Sequence, residues 1–451
     1  MKEKRWFWGL AVCLMVLVAG GSTAWGSGFA LYEGSARGNA LGGGLVGRAD
    51  DASAIFFNPA GITQLPGLNV MAGATVIIPG TEVNTVNMYD GGKASEDTEF
   101  NAPTAPHFYA TYQYSDHFWF GLGVFSSFGL MAEFDDEWAG RYNSHHAEVL
   151  SSTVNPNVAI KLNDHWSLAA GFDMMWFDIK LEQKIDAGAV FLQSGQTQVL
   201  EMLGLPPTVN DPSTNALDVD QQLTADNYFG YGFNLGLHWK PVNWLAAGVS
   251  YRSHIRQDLE GDAKYKKPAA LEAIPGTGGM FNDTEAEGTI KLPDEYYLGL
   301  MIKPVDRLSL ELGGIFTRWS TYDALTIKFD DAILPGMDTV SKVKDWNDVW
   351  RFNASAEYKA LDWLDLRVGY VYDESPVPDE TVDYLVPAND RHLYNFGLGF
   401  HRNAWTLDLS YTFLYIMDRE VDQRQFADGV LESDFEGGYA HLMGLSFGYR
   451  F

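Results

Sequence analysis

The chain has 451 residues, 46% of them hydrophobic and 14% aromatic, and a formal charge of −28 at pH 7. So acidic a chain excludes nucleic-acid phosphates as its main partner, and a mean hydropathy of −0.15 excludes a bundle of membrane-spanning helices. The only cysteine is Cys13, which excludes a disulfide framework and a thiolate metal site.

Residues 1–26 read as a secretory signal. Lys2, Lys4 and Arg5 precede an apolar run from Trp6 to Val18, and Ala24 and Gly26 place small residues before Ser27. The next stretch, Ser27–Gly61, is dense in Gly, Ala and Ser, lacks apolar periodicity and closes on Asn58-Pro59-Ala60-Gly61. Side chains this small cannot build a core of their own. Residues 27–66 are therefore expected to plug the interior of a larger body, residues 67–451.

From Leu68 onward the apolar pattern has period two. Trp166, Leu168, Ala170, Phe172, Met174 and Trp176 alternate with Ser167, Ala169, Gly171 and Asp173. Phe233, Leu235, Leu237 and Trp239 do the same against Asn234, Gly236 and His238, as do Trp405 to Tyr415 on alternate residues. One face is apolar and often ends in Trp or Tyr, while the other carries Gly, Ser, Asn and Asp. That is the pattern of an all-β transmembrane barrel with a wet or crowded interior. A soluble sandwich also alternates, but its strands are nearer five or six residues long, and many here pass ten.

Candidate strands fall near 68–79, 104–114, 117–131, 147–162, 165–182, 226–240, 243–259, 285–303 and 306–320. Others fall near 323–330, 348–360, 363–373, 391–415 (two strands) and 440–451. This makes fifteen. Barrels of this kind prefer even numbers, so 323–330 is read as a loop extension and fourteen antiparallel strands remain. Turns such as 162–165 and 241–243 are placed on the periplasmic side, and the connections 183–225 and 260–284 outside. The first of these carries Ala189–Leu203, apolar enough for short helices over the mouth. In the last strand Met443, Leu445, Phe447, Tyr449 and Phe451 alternate with small or polar residues, a pattern that resembles the recognition signal of outer-membrane barrel assembly machinery.

Several motifs occur in a characteristic order: Ser27-Gly28-Phe29, Asn58-Pro59-Ala60, Phe128-Gly129-Leu130 with Glu133-Phe134, and Trp138-Ala139-Gly140-Arg141-Tyr142. Lys161-Leu162-Asn163-Asp164, Leu292-Pro293-Asp294, Ser375-Pro376-Val377-Pro378-Asp379 and the terminal Phe451 follow. Over nearly the whole chain these residues resemble the FadL family of bacterial outer-membrane transporters for long-chain fatty acids and other hydrophobic compounds. The resemblance implies a monomeric fourteen-stranded barrel closed by an N-terminal hatch, with ligand passing from an outer groove to an inner pocket and leaving sideways into membrane lipid.

It places the lateral exit at a kink in the third strand, Ser126-Ser127-Phe128-Gly129, where Ser hydroxyls and a Gly backbone suit broken ladder bonds. Phe29 is then the hatch residue closing the inner pocket, and Asn58, Pro59, Ala60 and Gly61 form the hatch motif. Read from residues alone, that motif is a turn. The resemblance also implies that basic pocket residues meet a ligand carboxylate; the family's pocket lysine corresponds to Asn347, in Trp346-Asn347-Asp348, and Arg351 just after it is taken with it into the inner pocket. Lys184 and Lys344 are the residues that could replace the lysine. Fatty-acid uptake and import of neutral alkanes or aromatic hydrocarbons therefore both stand as readings.

Other chemistry is poorly supported. Gly42–Ala49 lacks the Lys-[Ser/Thr] of a phosphate loop, and His145-His146 lacks further ligands at metal spacing. No metal or other cofactor is expected. An outer-membrane lipid hydrolase and an adhesive barrel remain the alternatives of other classes, although a surface esterase has no need of a plug.

Overall fold

The computed structural model describes residues 28–87, 91–193, 201, 217–273, 276–422 and 428–451. The signal-sequence reading lies outside these residues, as does most of the stretch 189–203. Its described start is a helix over Ala187–Gln193.

Fourteen antiparallel strands close into a barrel. They are β1 (Leu68–Asn87), β2 (Thr104–Gln113), β3 (Phe118–Phe125, resuming as Gly129–Glu133), β4 (His146–Lys161) and β5 (Trp166–Asp186). Then come β6 (Asp218–Val242), β7 (Leu245–Arg252 and Ile255–Lys266), β8 (Thr284–Leu292 and Glu295–Val305) and β9 (Leu308–Thr317, extended by Ala324–Phe329). The last five are β10 (Thr339–Val343 and Val349–Leu361), β11 (Leu364–Asp373), β12 (Arg391–Arg402), β13 (Trp405–Ile416) and β14 (Val430–Arg450). Each strand pairs with its sequence neighbours, and β14 returns to β1 through pairs running from Asn69–Arg450 to Gly80–Tyr439. Closure leaves no free sheet edge, as a bilayer requires.

The alternation explains which way each strand faces. On β6, Phe229, Tyr231, Phe233 and Leu235 are exposed, whereas Gly230 and Asn234 are buried inside. The parts of the other strands nearest the short turns repeat this, as Leu298 and Leu300 or Phe396 and Leu398 show, which gives the molecule an apolar belt far larger than a soluble surface carries. Trp166, Trp244, Trp363 and Trp405 stand exposed near the short turns, as an interfacial girdle does. Several of these turns have only two residues, among them Asn403–Ala404 between paired Arg402 and Trp405. Asn403 has φ +56 there, a left-handed value that Asn tolerates better than most residues.

Residues 324–329 extend β9 outward, as expected. The outer connections are shorter than the alternation implied, because β5 runs to Asp186, β6 starts at Asp218, and β7 runs to Lys266. Likewise β1 reaches Asn87 and β14 begins at Val430. Beyond the lipid the outward residues of these strands are polar, as Asp258 and Glu260 are, and the inward ones mix apolar with polar, as Val219, Gln221 and Leu223 do, so the period-two hydrophobic signal is broken.

Residues 28–66 lie within the barrel as two short helices, α1 (Ala36–Ala40) and α2 (Ala54–Phe57), and a 3-10 turn, Pro59–Gln64. Helices of four or five residues do not persist alone. Here the inward face of the wall supplies their core. Inward glycines give the room: a Cβ on Gly369 would stand 2.7 Å from the Leu41 carbonyl carbon, and one on Gly121 would stand 2.9 Å from Ile55.

Candidate functional site

Phe29 is buried at the centre of an aromatic cluster. Its ring lies 4.9 Å from Trp319, 6.0 Å from Phe128, 6.0 Å from Trp346 and 6.1 Å from Tyr322, centroid to centroid. Edge-to-face contacts of this kind contribute roughly 0.5–1.5 kcal/mol each beyond simple burial. Gly28 makes the approach possible. Its φ is +62, and a Cβ there would stand 2.6 Å from the Trp319 ring.

The basic residues expected near a ligand carboxylate are each bound to a carboxylate of the protein. Lys344, 1% exposed at its side chain, is ion-paired with Asp383, which is 3% exposed. It lies 6.0 Å over the Tyr322 ring, so Phe29 and Lys344 share one cluster. Arg351 Nη1 donates to Asp373 at 2.6 Å and stacks 4.6 Å over the Tyr32 ring, while Arg391 holds the same carboxylate at 2.6 Å. Lys184 sits at the outer mouth, ion-paired with Glu137 and 3.9 Å from both Asp136 and Asp220. Asn347 is exposed, and its backbone N–H donates to the Pro376 carbonyl at 2.8 Å. The structure does not gather Lys184 and Asn347 around Phe29. Trp319 and Tyr322, which do line the cluster, carry no alternation signal because they sit in the irregular segment between β9 and its extension.

At the mouth is a cavity of about 170 Å³, walled by apolar side chains that include Leu181, Ile185, Val190, Ile327, Ile333 and Leu334. Lys342 Nζ at its rim donates to the Asn143 carbonyl at 3.0 Å and to Gln183 at 2.7 Å. Nearby, Arg141 Nε and the Tyr142 hydroxyl both donate to Asp218, at 2.9 and 2.8 Å. Burial, reinforced by Asp186 and Asp218, pushes the Tyr142 phenol up, so it stays a neutral donor.

Below the mouth, β3 leaves the wall. Its ladder with β2 ends at His107–Phe125, and after Ser126–Phe128 the segment Gly129–Glu133 pairs only with β4 among the described residues. The freed backbone groups are taken up from inside. Leu31 N donates to the Ser127 carbonyl at 2.8 Å, Gly129 N to the Phe29 carbonyl at 2.9 Å, and Ala30 faces Phe128 across an antiparallel bridge. Ser151 of β4, rather than Ser126 or Ser127, supplies the mending hydroxyl: it donates to the Phe128 carbonyl at 2.6 Å and accepts from Phe128 N at 3.1 Å.

Asn58 anchors the opposite flank of the N-terminal segment. Its Oδ1 accepts from Ala60 N at 3.2 Å, and Nδ2 donates to the carbonyls of Val46 and Leu237 at 3.0 and 3.1 Å. Pro59, which has no N–H to satisfy, starts the 3-10 turn. The side chain fits a notch between β6 and β7, where a Cβ on Gly236 would stand 2.6 Å from its Oδ1. A buried ion network holds the third flank. Glu357 of β10 accepts from Arg37 Nε at 2.9 Å, Arg48 Nη1 at 2.5 Å and Arg367 Nε at 2.7 Å.

Comparison with known proteins places this geometry in context. A family model described as outer membrane protein transport protein (OMPP1/FadL/TodX) matches residues 16–451. The long-chain fatty acid transport protein of Escherichia coli O6:H1 is 27% identical over 464 residues, covering all of both chains. A crystal structure of a Pseudomonas aeruginosa FadL homologue superposes with a TM-score of 0.82 at 20% identity, covering 94% of this chain and 100% of that one. The Pseudomonas putida toluene transporter TodX gives a TM-score of 0.65 at 16% identity, over 96% and 99%.

Proposed function

The chain belongs to the OMPP1/FadL/TodX family of outer-membrane transport proteins, and from that membership we propose that it is a passive uptake channel for hydrophobic compounds, with residues 27–66 as its hatch. Its place is the bacterial outer membrane, spanned by many strands. Long-chain fatty acids and similar compounds are the ligand class that its full-length relatives' names suggest. No cofactor takes part, and the barrel acts as a monomer inserted through its C-terminal strand by the assembly machinery.

One observation carries the reading. The aromatic cluster around Phe29 and the break in β3 are the same place, joined by the Ala30–Phe128 bridge. An apolar ligand entering from the 170 Å³ mouth cavity would reach this cluster and leave sideways into lipid once the hatch shifts. Sideways exit suits such a ligand, since release into water would cost about 0.8 kcal/mol per CH₂.

A second reading, import of neutral hydrocarbons, draws support from the ion pairs. Lys184, Lys344 and Arg351 each face a protein carboxylate, so a ligand carboxylate would compete with a protein acid at each, and at Lys344 it would have to break a pair buried on both sides. An enzymatic role does not fit this reading, and ester hydrolysis by the purified protein would overturn it on that point.

The test locks the hatch onto the kink. Ala30 and Phe128 face each other as an antiparallel pair without direct hydrogen bonds, close enough for a disulfide. In cells producing Ala30→Cys/Phe128→Cys, uptake of labelled oleate and hexadecane should fall under oxidation to the level of cells lacking the protein, and return with dithiothreitol. Uptake indifferent to the crosslink would refute exit past β3.

A further inference from the structure

The ladder between β6 and β7 is interrupted. It holds from the periplasmic side up to Asn234–Arg252, and Phe233 and Ser253 still exchange bonds at 2.9 Å. Pairing resumes only at Thr224–Asp262. Between these points, residues 225–232 and 254–261 form no ladder pairs with each other, although each stretch keeps pairs to its other neighbour, β5 or β8. A bulge in each strand accounts for this: Arg252 and Ser253 both face inward, and Asn227 has φ +67.

Gln257 lies in the middle of the interruption. It is completely buried, and both its Oε1 and its Nε2 lack a hydrogen-bond partner. Gly230 makes room for it, since a Cβ there would stand 2.6 Å from Nε2. Across β8 its register partner is Ile290, which with Leu259, Ala225, Leu223 and Leu181 lines an apolar cavity of about 60 Å³. Leu181 and Leu223 also line the mouth cavity, so the two spaces adjoin. Where the wall turns towards the N-terminal segment, Arg252 is closed on Asp173 at 2.6 Å, while Asp173 Oδ2 and Asn234 Nδ2 each lack a hydrogen bond; Gln257 is the group there with both its donor and its acceptor open.

A buried amide with neither its donor nor its acceptor satisfied is costly, and the adjoining cavity is walled mainly by apolar side chains, with Thr224, Asp262, Glu287 and Thr289 also lining it. We propose that this inner face of β6 and β7 is a second ligand subsite, in which Gln257 hydrogen-bonds the neutral polar end of an otherwise apolar chain. A hydroxyl or an undissociated carboxyl both donates and accepts, and so matches the amide. A bare carboxylate only accepts and would leave the Oε1 unpaired. The inference rests on the uptake reading and narrows it: the preferred cargo is a long chain with an uncharged hydrogen-bonding terminus, held below the mouth before it reaches Phe29.

Equilibrium displacement on the full detergent-solubilised protein tests this, with hexadecane and 1-hexadecanol as probes. The quantity read is the alcohol-to-alkane affinity ratio, compared between wild type and Gln257→Leu so that micelle partition cancels. The ratio should fall roughly three- to tenfold in the variant, the worth of a buried hydrogen bond, with alkane affinity kept. Gln257→Met repeats the measurement should the leucine variant misfold, and preserved alkane binding certifies the barrel. An unchanged ratio with normal alkane binding would overturn the subsite and leave the uptake reading standing. Binding of neither probe to wild type would overturn both.

Discussion

Replacing Glu357 by Ala should release the N-terminal segment from the wall. Three guanidiniums converge on this carboxylate: Arg37 and Arg48 from the segment and Arg367 from β11, at 2.9, 2.5 and 2.7 Å. The site is almost dry, with the Arg48 and Arg367 side chains 1% exposed. Removing the shared acceptor from a buried network costs about 3–5 kcal/mol. The barrel ladders do not depend on it, so the loss falls on docking. Amide exchange across residues 28–66 should then quicken by about two to three orders of magnitude, while exchange in β4 to β6 is unchanged. Glu357→Gln, which keeps the shape and one acceptor, should lie between. Equal protection in wild type and Glu357→Ala would show that the glycine-lined wall alone seats the segment.

The second large effect concerns Lys344. Its pair with Asp383 is buried on both sides, so Lys344→Met strands a carboxylate and should destabilise the protein by about 3–5 kcal/mol. Lys344→Met/Asp383→Asn should recover most of that loss, because Asn can still accept from Val386 N as Asp383 Oδ1 does at 3.2 Å. Denaturant unfolding in lipid vesicles gives the coupling energy from this cycle. The double variant also separates structure from recognition. If the pair is structural, its fatty-acid affinity stays within about twofold of wild type, less than one neutral hydrogen bond is worth. A tenfold loss with stability restored would make Lys344 a ligand contact.

Legibility in the sequence followed the solvent each residue meets. In the bilayer the wall faces lipid on one side and the packed lumen on the other, so Phe229 to Leu235 and Trp405 to Tyr415 betray their strands by strict alternation. The extensions of β1, β5, β7 and β14 carry only scattered inward apolar residues such as Val83, Ile185, Ala263 and Phe435 between polar ones, and so escape that criterion. That the N-terminal segment cannot fold alone is readable from its composition, but not how the barrel holds it. Glu357, Glu311 and Asp408 are single acids on inward strand positions, and only closure of the barrel brings them to Arg37, Arg48 and Arg367.

The same limit applies to the site. Phe29 and the Ser126–Gly129 kink stand out through motif order, whereas Trp319, Tyr322 and Asp383 come from irregular segments distant in sequence. Lys184 and Lys344 are single positive charges in the sequence. Their pairing with Glu137 and Asp383 is a property of the fold, and it shifts the expected ligand towards neutral molecules. Gln257 gave no signal at all, since a Gln on an alternating strand looks like an ordinary lumen residue until its neighbours are known.

The most direct measurement is competition at equilibrium on the purified protein: labelled palmitate displaced by hexadecane at neutral pH, where the acid is ionised. With every expected cation already paired, hexadecane should displace palmitate at an equal or lower concentration. Tight palmitate binding that hexadecane fails to disturb would contradict this account, because it would require a basic group held free for the carboxylate.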